Sequence, residues 1–180
     1  MEQILDLLVP LNALTRRQLL GSAAVGICMS MTFLGALAHP ATKRSQTQAP
    51  NSQRTSLHQE VEIHASPQKV YDALLNSKQF TAFTTAPAEI SAKPGGPLSM
   101  FGGMITGRNV ELVAGHRIVQ AWRPGSWEPG VYSIVKFELK PNGPNTTVIL
   151  DHTGFPEGDY DSLSSGWVSH YWKPLQKYFP

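Results

Sequence analysis

Cysteine is almost missing from this chain: Cys28 is the only one in 180 residues. No intrachain disulfide can form, and no cysteine nucleophile survives if the segment around Cys28 is removed. A surplus of one charge is missing too. Fifteen Lys and Arg stand against thirteen Asp and Glu, and from Leu57 onward the balance is ten against eleven. Without a basic surplus there is no reservoir of phosphate contacts, so nucleic acid is not an expected partner. His, Asp and Glu do not recur at metal-ligand spacing, and there is no C-x-x-C pair. Ser99, Ser133 and Ser164 lack the G-x-S-x-G surroundings of a hydrolase nucleophile. The glycines between Gly95 and Gly107 do not lead into a helix carrying a Lys, so they make no phosphate loop. Motifs therefore nominate no metal, no cofactor and no catalytic residue.

What is present begins with a leader-like segment. Thr15, Arg16, Arg17, Gln18, Leu19 and Leu20 precede an uncharged run from Gly21 to Leu37 that ends in Ala36, Leu37 and Ala38. Paired arginines, an uncharged run and a small-residue site, in that order, resemble a bacterial twin-arginine signal peptide over residues 1–38. The expectation is export to the periplasm or the medium; left uncleaved, the run would hold the protein at the inner membrane, its only expected link to a bilayer. Cys28 does not read as a lipid site, because Ile27 stands where a small residue is needed. Residues 39–56 are rich in Ser, Thr, Gln and Pro without apolar periodicity, and read as a disordered tether.

Residues 57–180 read as one domain. Leu57, Gln59, Val61, Ile63 and Ala65 alternate with polar residues, the pattern of a half-buried strand. Ser66 and Pro67 open a helix with Val70, Tyr71, Leu74 and Leu75 on one stripe, and a short helix follows over Ser77 to Phe83. From Ala88 the period changes to short strands: Leu98 to Ile105, with a bulge or sharp bend at Gly102 and Gly103, then Val110 to Val113, Arg117 to Arg123, Tyr132 to Lys140 and Thr146 to Thr153. Turns fall at Ala114 to His116 and Pro141 to Asn145. A strand, two helices, a run of antiparallel strands and one closing helix make an α+β plan.

The closing helix runs from Asp161 to Phe179, where Leu163, Trp167, Tyr171, Leu175 and Tyr178 recur on one stripe. Asp161 or Ser162 is placed to cap it. Val168, Trp172 and Phe179 form a second row roughly opposite, more apolar surface than one sheet face covers, which leaves room for a homodimer through this helix. Pro174 should cost about 3 kcal/mol inside a helix, against roughly 1.5 to 3 kcal/mol for each large side chain buried, so a kinked helix is expected.

Three runs carry a resemblance: GGPLSMFGGMITGRNVELVAGHRIVQAWRP from Gly95, WEPGVYSIVKF from Trp127, and DHTGFPEGDYDSLSSGWVSHYWKPL from Asp151. Over about Leu57 to Phe179 the chain resembles the C-terminal domain type of the activator of heat-shock protein 90 ATPase homologue family, within the START-like SRPBCC superfamily. The resemblance implies a helix-grip fold: a curved antiparallel sheet wrapped around a long C-terminal helix, with a cavity between them. In the eukaryotic co-chaperone a separate N-terminal domain contributes to activation; here a leader and a tether stand in its place.

Met100, Phe101, Met104, Trp122, Trp127, His152, Trp167 and Tyr171 are the candidate cavity residues, since aromatic and thioether groups give an apolar guest adaptable contacts. His152 shares a strand face with Val148 and Leu150; turned inward it could orient a polar group or act as a base, and otherwise it is a hydrogen-bonded strand residue. The leading expectation is an exported, non-enzymatic domain that binds an apolar or amphipathic small molecule. A co-chaperone is the second reading, and an enzyme using a polar cavity residue such as His152 is the third.

Overall fold

The structure, a computed structural model, describes residues 53–180. The leader expected over 1–38, and the tether before residue 53, lie outside the described residues. Alternating burial puts Leu57, Val61 and Ile63 on the inner face of β1 (Ser56–Ile63). Ser66 then accepts the Lys69 backbone N–H and Pro67 starts α1 (Pro67–Leu75). The Asn76 carboxamide accepts the N–H groups of Lys78 and Gln79 to open α2 (Ser77–Thr84). Five further strands form an antiparallel meander: β3 (Pro97–Met100), β4 (Ile105–Val113), β5 (Arg117–Pro124), β6 (Ser133–Asn142) and β7 (Asn145–Thr153), preceded by a two-residue β2 (Glu89–Ile90). The sheet order is β1-β7-β6-β5-β4-β3-β2, antiparallel throughout. The two helices thus carry the chain from one sheet edge to the other.

One face of this sheet is apolar. Val135, Phe137 and Leu139 on β6, Val148 and Leu150 on β7, and Ile118 and Trp122 on β5 are buried on it, and the C-terminal helix lies across it. This is the curved sheet and closing helix that the sequence implied. Residues just before Leu57 already make tertiary contacts: the Thr55 carbonyl accepts the Gly154 N–H at 2.8 Å, and the Arg54 guanidinium lies 5.1 Å from the Tyr160 ring centre.

Two local expectations are corrected. Leu98 to Ile105 is not one bent strand. β3 ends at Met100, and a turn closed by the Gly103 N–H on the Met100 carbonyl leads into β4. Phe101 and Gly102 both adopt left-handed φ there, 53° and 66°, as a tight hairpin turn requires. The bulge sits instead at Val110, where the β4–β5 register slips between Asn109 and Glu111. β4 runs on through Gly107, where only glycine fits because the backbone comes too close to β5 for a side chain: a Cβ there would lie 1.9 Å from the Ala121 carbonyl oxygen.

The closing helix is continuous but not uniform: α3 (Tyr160–Gly166), a π-helical segment (Trp167–Trp172), and α4 (Lys173–Tyr178). The π turn is the form taken by the irregularity expected at Pro174. Widening the register just ahead of the proline accommodates a residue that has no N–H and whose ring crowds the preceding turn. It also corrects the second apolar row. In the π segment the hydrogen bonds reach five residues instead of four and the turn is wider, which brings Trp172 round to the inner side next to Trp167, their rings stacked at 5.4 Å and 19°. Trp167, Tyr171 and Trp172 are all buried, and Val168 is left exposed.

Candidate functional site

A cavity of about 180 Å³ lies between the β3–β4 turn and the first turns of the C-terminal helix, lined by Phe101, Met104, Ile105, Trp122, Ser162, Leu163, Gly166, Trp167, His170 and Tyr171. Its walls are almost wholly apolar, and it is open on one side, where Met104 (71% exposed), Ser162 and His170 reach solvent. Five of the eight residues nominated from sequence are brought together here: Phe101, Met104, Trp122, Trp167 and Tyr171. Ile105, Leu163, Gly166, Ser162 and His170 were not nominated. Leu163 and His170 sit one turn either side of Trp167, so helical spacing from that tryptophan could have found both.

Phe101 enters the cavity because its backbone is held in the left-handed region, a conformation that costs a non-glycine residue about 1 kcal/mol or more. Ring contacts hold it there. Its ring meets Phe80 at 5.5 Å, Tyr171 at 5.6 Å and His170 at 6.1 Å, all edge-to-face.

The two indoles of the cavity are each fixed by a buried polar chain. Trp122 donates its N–H to Gln120 Oε1 at 2.8 Å, Gln120 Nε2 donates to Asn109 Oδ1 at 2.8 Å, and Asn109 Nδ2 donates to the Ser91 carbonyl at 2.8 Å. Trp167 donates its N–H to His152 Nδ1 at 3.2 Å, and His152 Nε2 lies 2.8 Å from Ser133 Oγ. Because Nδ1 must accept, the proton belongs on Nε2 and Ser133 receives it. Burial alone pushes the His152 pKa down to about 4, which keeps the imidazole neutral and able to accept. Trp122 and Trp167 stack at 5.0 Å and 23°.

The other three nominated residues lie elsewhere. His152 is fully buried behind Trp167 and faces core, not cavity, so it cannot touch a guest. Met100 is buried too, its sulfur accepting the Tyr171 hydroxyl at 3.6 Å. Trp127 packs at the start of the closing helix and donates to Asp159 Oδ2 at 2.5 Å. Asp159, rather than Asp161 or Ser162, occupies the N-cap position, and its side chain makes no capping bond because it serves Trp127. Among the described residues, no three His, Cys, Asp or Glu side chains gather where they could hold a metal ion.

Residues 64–180 match the family described as Activator of Hsp90 ATPase homolog 1-like protein. The chain is 34% identical over 122 residues to an activator of 90 kDa heat shock protein ATPase homolog of Dictyostelium discoideum, covering 67% of this chain and 31% of that protein. It is 27% identical over 114 residues to human activator of 90 kDa heat shock protein ATPase homolog 1, covering 63% and 34%. The chain thus spans about a third of the length of these relatives. Among solved structures, an HSP90 activator from Plasmodium falciparum matches with a TM-score of 0.61 and 24% identity over 67% of this chain and 91% of that one. The Aha1 dimer from Colwellia psychrerythraea matches with a TM-score of 0.58 and 18% identity over 68% and 97%. These structures share the fold.

Proposed function

This chain belongs to the family of activator of Hsp90 ATPase homolog 1-like proteins, and from that premise we propose that it works as an exported binding module that takes a small apolar or amphipathic molecule into the cleft between the sheet and the closing helix. Gly166 carries this reading. Its backbone is ordinary helix, φ −61° and ψ −43°, and a Cβ built on it would meet no atom within 4 Å. Alanine there would gain about 0.5 to 1 kcal/mol. A glycine that weakens its helix, needs no special φ and makes no close contact is explained by the open space it leaves on the cavity wall. At about 180 Å³ the cavity is below the roughly 300 to 1,000 Å³ of drug-sized sites and above the ~150 Å³ of an apolar cavity that holds benzene, so the guest buries one ring or a short alkyl group.

Native mass spectrometry of the full chain, purified from the cells that make it, tests this. A copurified small mass, lost in Gly166→Leu, supports the binding module; an empty protein that also ignores apolar probes added in excess overturns it. Export is read out by locating a tagged full chain, and cytosolic accumulation of the uncleaved protein removes that part of the proposal.

The 34% identity to the Dictyostelium activator favours a second reading, in which the domain contacts a 90 kDa heat-shock protein. Stimulation of that chaperone's ATP hydrolysis by the added full chain supports it; an unchanged rate removes it. A homodimer, as in the Colwellia neighbour, is part of the same question, and a doubled mass in the native spectrum would establish it.

A further inference from the structure

We propose that the cleft is selective for a planar aromatic molecule of one ring that carries a single hydrogen-bonding substituent, the ring held against the inner walls and the substituent turned out to His170 and Ser162. This rests on the reading of the cleft as a ligand site and goes further by naming the chemical class.

Three observations carry it. The first is wall chemistry. Five of the ten lining residues carry rings, namely Phe101, Trp122, Trp167, His170 and Tyr171, and a sixth carries the thioether of Met104. An aromatic guest adds ring–ring and sulfur–ring attraction to the area it buries, roughly two- to tenfold in affinity for each well-placed pair. A saturated ring of equal size gains only the area.

The second is rigidity. Trp122 is tied through Gln120 and Asn109 to the Ser91 carbonyl, Trp167 is tied to His152 and Ser133, and the Tyr171 hydroxyl is tied to Met100. None of these rings can turn without stranding a buried polar group. The inner wall therefore keeps its shape, and a preorganised flat wall discriminates a flat ring from a puckered one of the same volume.

The third is the placement of polarity. Inner wall groups spend their hydrogen bonds on the protein, so a polar atom placed deep would find no partner and would lose affinity. At the mouth, His170 is exposed with its ring edge-on to Phe101, and its nitrogens make no hydrogen bond among the described residues. Ser162 Oγ donates to the Asp159 carbonyl at 3.3 Å and keeps lone pairs to accept with. One hydroxyl on the guest can donate to Ser162 Oγ and accept from a His170 ring N–H while the ring remains inside.

Titration of the full chain with p-cresol, toluene and 4-methylcyclohexanol, followed by tryptophan fluorescence and by the indole N–H resonances, tests the class. The expected order is p-cresol tightest, with toluene and 4-methylcyclohexanol each weaker by roughly two- to tenfold. His170→Ala removes both a ring and a hydrogen-bonding group from the mouth, so it should weaken p-cresol by more than it weakens toluene and narrow the gap between them. Equal or tighter binding of 4-methylcyclohexanol overturns the aromatic class and leaves the apolar-guest reading standing, as does p-cresol binding that ignores His170→Ala for the polar handle. If none of the three binds wild type, this inference fails together with the reading on which it rests.

Discussion

Trp167 donates its indole N–H to Nδ1 of His152 across 3.2 Å, and this bond joins the cavity floor to the core of the sheet. The acceptor nitrogen exists only while the imidazole is neutral. A second proton would place two N–H groups face to face inside a dry core.

Acid should therefore destabilise the fold through His152. Its folded pKa, about 4, lies below the ~6.5 of an unfolded histidine. Between those values the unfolded chain binds more protons, so the stability is complete above pH ~6.5, falls as pH drops and is lost below pH ~4, for a total of about 3 kcal/mol. Denaturant midpoints measured from pH 7 to 4 should show this slope. In His152→Leu the slope over that window should flatten, while stability at pH 7 drops by roughly 1 to 3 kcal/mol because Trp167 and Ser133 lose their partner.

His58 should act in the opposite sense and weakly. It bonds Asp151 Oδ1 at 2.7 Å on the outer sheet face, and Lys136 Nζ reaches Asp151 Oδ2 at 2.9 Å. The hydrogen bond to Asp151 raises the His58 pKa, so its contribution is present below ~6.5 and disappears as pH rises through the folded value. Exposed pairs of this kind contribute about 0 to 1 kcal/mol and are screened by salt. Asp151→Asn should shift Tm slightly at low ionic strength and not at all in 1 M salt; a large shift in high salt would contradict this.

Gly166→Ala should raise thermal stability by about 0.5 to 1 kcal/mol, and Gly166→Leu should remain folded. Guest binding should weaken in the first variant and vanish in the second. Calorimetric unfolding beside a probe titration reads both effects. A Gly166→Leu protein that binds as wild type would place the guest elsewhere.

Gly107→Ala should be severe. The Ala121 carbonyl oxygen lies 1.9 Å from the added Cβ, and backbone on a paired strand has no direction in which to yield. A loss beyond about 3 kcal/mol is expected, seen as a large drop in the denaturant midpoint or as insoluble protein. Near-wild-type stability would mean that β4 and β5 pair less closely than they do here.

Element type was legible wherever period or capping chemistry acts locally. Ser66 with Pro67, the alternation in β1 and in β5 to β7, and the stripe through Trp167 and Tyr171 all form what the sequence pattern predicts, because those signals depend on neighbours a few residues away. The same reasoning gathered five of the eight nominated residues at the cavity. It stopped at the faces. Met100, Trp127 and His152 are the chemical types that line cavities, and whether such a side chain faces a guest or a Tyr, Asp or Ser distant in sequence depends on packing that no local window contains.

Alone, then, the sequence determined the α+β order of elements, the apolar surfaces that must meet and the family resemblance that goes with them, since hydrophobic burial follows periodicity. The tertiary structure decided the π turn that swings Trp172 inward, the left-handed Phe101 and the space beside Gly166. Each is a compromise between local backbone preference and the burial of large rings against a distant strand, and such a balance exists only once both sides are in contact.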